Sequence, residues 1–203
     1  MFLLDKLKKC ALEFKKLFGK DYYYTFENDM KIRVYFAKKH FHHLLGLGKL
    51  TDIAPLVITK NNTATNIYKN IEKGKITYSQ ISKSVFFDKI KDRIDNFNYL
   101  NNMLFEKVVI NFDKSKVPSS KLQSDIILYQ DKGNYYLHLC LAQDNICYYP
   151  ETFVVQHDDY YIKGQQELRI KELKVIKKDK ILISKQYIIP DKETQDQVAI
   201  TST

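Results

Sequence analysis

The chain has 203 residues, which is enough for one domain with a substantial hydrophobic core. Apolar residues make up 44% and charged residues 28%, with only 6 Gly and 4 Pro, which excludes disordered, collagen-like and linker-like chains, and no apolar stretch is long enough for a membrane-spanning helix. The 33 Lys and Arg residues outnumber the 24 Asp and Glu residues, and the resulting net charge of +9 favours a polyanionic partner, above all nucleic acid.

The first predicted element is an amphipathic helix within residues 1–20. Apolar residues recur at helical spacing from Phe2 to Phe18, lysines occupy much of the opposite face, and Gly19 ends the helix. A basic helix of this kind either packs on the core or lies on a membrane surface. Its lysines interrupt any signal-peptide core, and the three scattered cysteines form no CxxC pair and no disulfide framework. We therefore expect a cytoplasmic protein without membrane insertion.

The middle of the chain is predicted to form a hairpin followed by helices. The turn residues Glu27-Asn28-Asp29 separate two extended segments, which favours a short hairpin. The extended segments are residues 22–26 and 31–36, and helices are predicted over residues 38–45, 64–73, 79–84 and 86–104.

From Val108 the apolar residues alternate every second position, which predicts strands. These strands cover residues 108–112, 125–130, 135–141, 146–155, 167–176 and 181–189. Short turns between most of them favour an antiparallel meander with the helices on one face. The predicted fold class is α+β, with an N-terminal helix and hairpin, a helical middle and a C-terminal antiparallel meander sheet. We expect residues 21–189 to form a single domain and residues 190–203 a flexible tail.

A cluster of histidines at residues 40–43 is the most informative local feature. His40 and His43 are three residues apart and would share one face of a helix. A neutral imidazole can act as a general acid or base near pH 7. The same spacing would suit two metal ligands, but no HExxH glutamate or cysteine partner accompanies it. Surface histidines at a helix end are the third interpretation, and we predict no metal site.

The segment Phe41–Asp52, FHHLLGLGKLTD, resembles the signature F-x-H-L-L-G-L-x-K-L-x-D of a phage-associated nuclease-like family. This family is the fourth class of the barnase–EndoU–colicin–RelE-like (BECR) domains. A Lys-Ile-x-x-Arg-Ile segment at residues 89–94, followed by YPETF at 149–153 and YIKGQ at 161–165, is also similar to the family pattern. Gly48 departs from it, because a histidine is common at that position.

The resemblance implies a BECR-type fold and a metal-independent, toxin-like ribonuclease that needs no cofactor. The implied partners are RNA, such as a tRNA or an mRNA, and an antitoxin or immunity protein. The departure at Gly48 removes one candidate catalytic group, so the alternative is a catalytically eroded module of the same fold that binds nucleic acid or protein.

Four residues are predicted to be catalytic because metal-free RNA cleavage needs an acid, a base and cations for the phosphate. His43 is the candidate acid or base, and Lys49, beyond the turn at Gly46, would donate to a phosphate. Arg93 borders the apolar stripe of its helix and requires an anionic partner, which would be either an internal carboxylate or a phosphate.

The hydroxyl of Thr152 is predicted to bind a phosphate oxygen, on the face of its strand opposite Glu151. Four further residues are predicted to contact the base or sugar of the substrate: His40, Tyr149, Tyr161 and Gln165. The four catalytic candidates lie on separate elements, and we expect the fold to bring them to one concave surface.

Overall fold

The computed structural model describes residues 4–189, so the predicted C-terminal tail lies outside the described residues. Within that range the α-helices are α1 (Lys6–Lys15), α2 (His40–Leu44), α3 (Ala64–Glu72), α4 (Tyr78–Ile81), α5 (Asp88–Asn96) and α6 (Leu100–Met103). The strands are β1 (Asp21–Phe26), β2 (Lys31–Tyr35), β3 (Val108–Asn111), β4 (Ile126–Asp131), β5 (Tyr136–Asp144), β6 (Cys147–Gln156), β7 (Gln166–Lys177) and β8 (Lys180–Gln186). Short 3₁₀ helices lie at Leu47–Lys49, Ala54–Leu56, Phe97–Tyr99 and Lys114–Lys116.

The strands form one sheet that closes on itself. Their order is β1-β2-β6-β5-β4-β3-β7-β8, and β7 also pairs with β1, so seven strands form a closed barrel and β8 is added at one edge of β7. The 12 residues of β7 make this closure feasible, because its first part pairs with β3 and the part from Ile170 onward pairs with β1. The contact between β2 and β6 is parallel, whereas the other pairs are antiparallel.

The α+β class is confirmed, but the meander is not confirmed in detail. Strands β3 to β6 are neighbours in chain order, as a meander requires. Strand β7 instead returns to pair with β3 and β1, and the N-terminal hairpin completes the ring. Turn residues specify only which consecutive strands are neighbours, so they carry no signal for this closure.

One core joins the helices to the inward-facing side of the strands. The apolar residues of α1, including Leu7 and Phe14, are buried in it. Of the two interpretations of this basic helix, the structure therefore shows packing on the core. A smaller cluster lies on the opposite face of β3, β4 and β5, around Ile110, Ile127 and Cys140. Cys10 and Cys140 are buried thiols, and none of the helices between residues 4 and 189 has the length and apolar content needed to cross a membrane.

The predicted continuous helix over residues 86–104 is wrong. Helix α5 ends at Asn96, a 3₁₀ turn follows, and α6 begins at Leu100. The ring of Phe97 lies at this break and contacts the rings of Phe14, Phe41 and Phe153. Apolar residues keep helical spacing through the break, so the sequence pattern does not show the interruption. Asn96, the last residue of α5, belongs to a residue type that is only a moderate helix former.

Candidate active site

A cleft of about 630 Å³ lies between α2, the following 3₁₀ turn, α5 and β6. All four residues predicted to be catalytic line it: His43, Lys49, Arg93 and Thr152. They come from four different elements, which the barrel and its helices bring to one concave surface. Their catalytic roles remain predictions, but their convergence provides the geometry that those roles require.

Gly46 forms the turn between α2 and Lys49. Its φ of +70° lies in the left-handed region, where glycine is strongly favoured over residues with a side chain. A Cβ at this position would lie 3.1 Å from Cγ2 of Ile90 and 3.2 Å from Nη1 of Arg93. Gly46 therefore permits both the turn and the close approach of this turn to α5.

We expect Gly46→Ala to destabilise the fold by about 1–3 kcal/mol more than Gly74→Ala. Gly74 has a similar φ of +75°, but no atom lies within 4 Å of its hypothetical Cβ, so that variant reports the backbone cost alone. Urea unfolding of both variants measures the difference. Equal losses in the two variants would show that the contact between the Gly46 turn and α5 has no energetic weight.

The side chain of Arg93 lies between α5 and β6. Its Nη1 donates a hydrogen bond of 2.9 Å to the hydroxyl oxygen of Thr152. Burial lowers the pKa of Arg93, and no Asp or Glu oxygen of residues 4–189 lies within 4 Å of its guanidinium. Two partners were predicted for Arg93, and the first of them, an internal carboxylate, is not found in contact with it among the described residues. A half-buried guanidinium of this kind is stabilised by an anion supplied from outside.

Further positive charge accumulates beside Arg93. Partial burial lowers the pKa of Lys49, and the nearby cations Arg93 and Lys89 lower it further. Like charges held together raise the free energy of the unliganded site, and a phosphate would relieve their repulsion. Lys121 lines the cleft as well. This concentration of cations is the electrostatic signature of an anion-binding site.

Acidic side chains also line the cleft, but they have other interactions. The carboxylate of Glu151 accepts hydrogen bonds from the backbone N–H of Gln123 at 3.1 Å. The carboxylate of Asp92 lies 3.5 Å from Nε2 of His157. Asp88 lies in the first turn of α5, where negative charge interacts favourably with the helix dipole. These groups leave the guanidinium of Arg93 without a carboxylate contact.

A β-bulge interrupts strand β6 next to Thr152. Cys140 is paired with Thr152, whereas the next residue, Leu141, is paired with Pro150, so Glu151 is an extra residue in β6. A bulge interrupts strict alternation and redirects side chains. Glu151 and Thr152 both line the cleft, and the extra residue means that the regular alternation from which opposite faces were predicted does not hold at this point of β6. The hydroxyl of Thr152 accepts from Arg93 and keeps its own proton for donation to a bound oxygen.

His42 is a part of the cleft that the sequence reasoning did not select. Its Nε2 lies 3.0 Å from the carbonyl oxygen of Leu56, which places the proton on Nε2. A Cβ on Gly48 would lie 3.2 Å from Cε1 of His42. The glycine at position 48 therefore makes room for the buried ring of His42. The histidine cluster in the sequence was the available signal for this residue.

The four predicted substrate-binding residues lie in three places. Tyr161 lines the cleft with the catalytic candidates. His40 and Tyr149 line a neighbouring cavity. Gln165 lines neither, because its carboxamide accepts from the backbone N–H of Asp113 and donates to that residue's carbonyl oxygen. Gln165 thus holds a loop outside the two cavities, and its contact with a substrate stays a prediction.

The chain matches the family model of the phage-Barnase-EndoU-ColicinE5/D-RelE like nuclease4 proteins over residues 6–202. The chain belongs to this family. The match extends across nearly the whole sequence, well beyond the Phe41–Asp52 segment on which the resemblance mainly rested. No curated protein and no solved structure matches the chain.

In this phage-associated nuclease-like family member, Asp52 of the signature segment supports the cleft without lining it. Its carboxylate accepts hydrogen bonds from the hydroxyl of Ser84 and from the backbone N–H of Val85. The Ser84 hydrogen bond is also the main cause of the lowered pKa of Asp52. These contacts fix the segment that leads into α5, and so they position Arg93. Nuclease-type function is therefore supported by the family membership, and the cation-lined cleft is consistent with it.

Proposed function

We propose that this nuclease-family protein cleaves RNA without a metal ion, by attack of a ribose 2′-oxygen on the adjacent phosphate. The observation that carries the proposal is the half-buried guanidinium of Arg93, held by Thr152 beside Lys49 and the exposed imidazole of His43. Together these side chains supply the phosphate-binding cations and the proton-transfer groups that such a reaction needs.

The proposed reaction assigns one role to each group. His43, as the neutral imidazole, removes the 2′-hydroxyl proton while the 2′-oxygen bonds to phosphorus. Arg93 and the hydroxyl of Thr152 bind the non-bridging phosphate oxygens as negative charge develops. Lys49, whose lowered pKa favours proton release, protonates the departing 5′-oxygen. The products are a 2′,3′-cyclic phosphate and a 5′-hydroxyl end.

The biological setting that we propose is a cytoplasmic, toxin-like protein of phage or mobile-element origin. Membership of a phage-associated nuclease family supports this role. The substrate would be a tRNA or an mRNA, and an antitoxin or immunity protein would protect the host. Growth arrest on expression of the wild type, relieved in His43→Ala, tests the toxin role directly.

The activity is tested with RNA and DNA of the same sequence in excess EDTA. Cleavage of the RNA to cyclic-phosphate ends, with the DNA uncut, is expected because DNA lacks the attacking 2′-hydroxyl. Intact RNA that is nevertheless retained by the protein in a salt-sensitive manner would support the alternative, a binding module with an eroded catalytic centre.

Arg93→Gln is expected to lower the cleavage rate by about 10²–10³-fold. The loss should be similar for all RNA sequences, because a phosphate contact carries no base information. Arg33→Gln is the matched control, since Arg33 pairs with Asp21 and does not line the cleft. Loss of cleavage at one sequence alone would identify Arg93 as a base-reading residue and contradict its phosphate role.

A further inference from the structure

Strand β8 (Lys180–Gln186) lies outside the closed barrel and has one edge without a partner strand in the described part of the chain. Among residues 4–189 it pairs only with β7, whose other edge is occupied by β1 over the same residues. No further backbone hydrogen bond reaches residues 180–186 within that range. The N–H and C=O groups along the open edge can therefore bond to an additional strand.

Strand β8 also carries an exposed run of three consecutive aliphatic residues. Ile181, Leu182 and Ile183 are 59%, 49% and 39% exposed, although side chains of this kind are usually buried. A two-residue turn connects β7 to β8, and its residues Lys178 and Asp179 have φ values of 47° and 63°, as tight hairpin turns require. The aliphatic run is thus displayed on an ordered strand, where a bound segment would remove it from water.

Positive charge surrounds this run. The hairpin of β7 and β8 contains six lysines and two acidic residues between positions 171 and 186. One of the two carboxylates, that of Glu172, pairs with Lys174 at 2.8 Å. Four of the lysines make no ion pair among residues 4–189: Lys177, Lys178, Lys180 and Lys185. A segment with negative charge would complement this edge.

These features favour an acidic protein over nucleic acid or a second copy of the chain. Single-stranded nucleic acid stacks its bases on aromatic side chains, and residues 180–186 include none. Two β8 strands that pair antiparallel with Leu182 opposite Ile183 would place Lys180 opposite Lys185 at both ends, and like charges in such positions repel. The net charge of +9 further opposes self-association.

We propose that β8 binds, by strand addition, an extended segment of an acidic protein in which Asp or Glu alternates with apolar residues. Backbone hydrogen bonds hold the segment along the edge, the aliphatic run packs against its apolar residues, and Lys180 and Lys185 pair with its carboxylates. No residue from 180 to 186 lines the cleft, so a partner held at β8 leaves the proposed active site open. Docking at this edge is independent of the proposed ribonuclease activity.

Fluorescence anisotropy of labelled synthetic peptides, with the full chain as the binding protein, tests the docking edge. A peptide of alternating valine and glutamate is expected to bind about tenfold more tightly than one of valine and lysine. It should exceed by a similar factor, about tenfold, a peptide of proline and glutamate, which keeps the charge but cannot pair as a strand.

Variants of the protein test the same edge. Leu182→Thr should weaken binding of the valine–glutamate peptide by about tenfold, because threonine keeps the strand preference but offers less apolar surface. Ile146→Thr, at an exposed isoleucine between β5 and β6, is the matched control and should bind as the wild type does. The double variant Lys180→Glu/Lys185→Glu should reverse the preference between the two valine peptides.

Four results would each overturn an acidic protein partner. Equal binding of the proline–glutamate peptide would reduce the contact to charge alone. Concentration-dependent dimers that are lost in Leu182→Thr would assign the edge to a second copy. Protection of every amide of residues 180–186 from hydrogen exchange in the monomer without peptide would show that the chain covers its own edge. RNA retention that is lost in the lysine double variant, without peptide binding, would assign the surface to nucleic acid. Peptide binding is measured without RNA, so failure of the ribonuclease proposal leaves this test unaffected.

Discussion

Replacement of His43 by alanine is expected to lower the rate of RNA cleavage by about 10²–10⁴-fold, the usual contribution of a positioned general acid or base. The side chain is exposed, and it lines both the cleft and the adjoining cavity. It contributes little to the core, so the free energy of unfolding should change by less than about 0.5 kcal/mol. The loss of rate should therefore be separable from any loss of fold.

Initial rates on a defined RNA, together with urea unfolding, measure both quantities. His157→Gln is the matched control, because His157 is an exposed histidine that does not line the cleft, and glutamine keeps a donor for Asp92. If the effect of His43→Ala lies in kcat with little change in KM, the imidazole acts in the chemical step. A rate within threefold of the wild type would contradict the assigned role and leave RNA binding as the function of the cleft.

The sequence was sufficient to select the four catalytic candidates that line the cleft, because the relevant signals are local. The signature segment contains His43, Gly46 and Lys49, and the position of Arg93 at the border of an apolar stripe predicted an anionic partner. Lys89 and Lys121 had no comparable signal, since solvated lysines are common on any helix or loop. They line the cleft because α5 and the 112–125 connection converge there.

The parts of the structure that the sequence did not predict depend on long-range contacts. Alternating apolar residues located the strands, but barrel closure depends on pairs such as Asp21 with Ile176, which are distant in the chain. The bulge at Glu151 likewise depends on the register between β5 and β6. Strand periodicity predicts which residues share a face only while the ladder stays regular. The placement of Thr152 was therefore predicted only approximately.

Acidification is expected to destabilise the protein strongly, because buried histidines must stay neutral in the folded state. Burial lowers the pKa of both His40 and His138 to about 4, from an ordinary value of 6.5. Between these values the unfolded chain binds protons that the folded chain does not. The stabilisation is therefore complete above about pH 6.5 and is lost as the pH falls towards 4, by ~3 kcal/mol for each histidine.

Urea unfolding at pH 7 and at pH 4.5 measures this loss, and the variant His138→Phe isolates one histidine. His138 is 0% exposed and contacts the ring of Tyr161, so phenylalanine preserves an aromatic ring in the same packing. The variant should lose roughly 2–3 kcal/mol less than the wild type between the two pH values. His157→Gln, at an exposed position, should match the wild type. An unchanged pH dependence in His138→Phe would show that this ring is protonated in the folded protein or reached by solvent, and acid sensitivity would then have to arise from other groups.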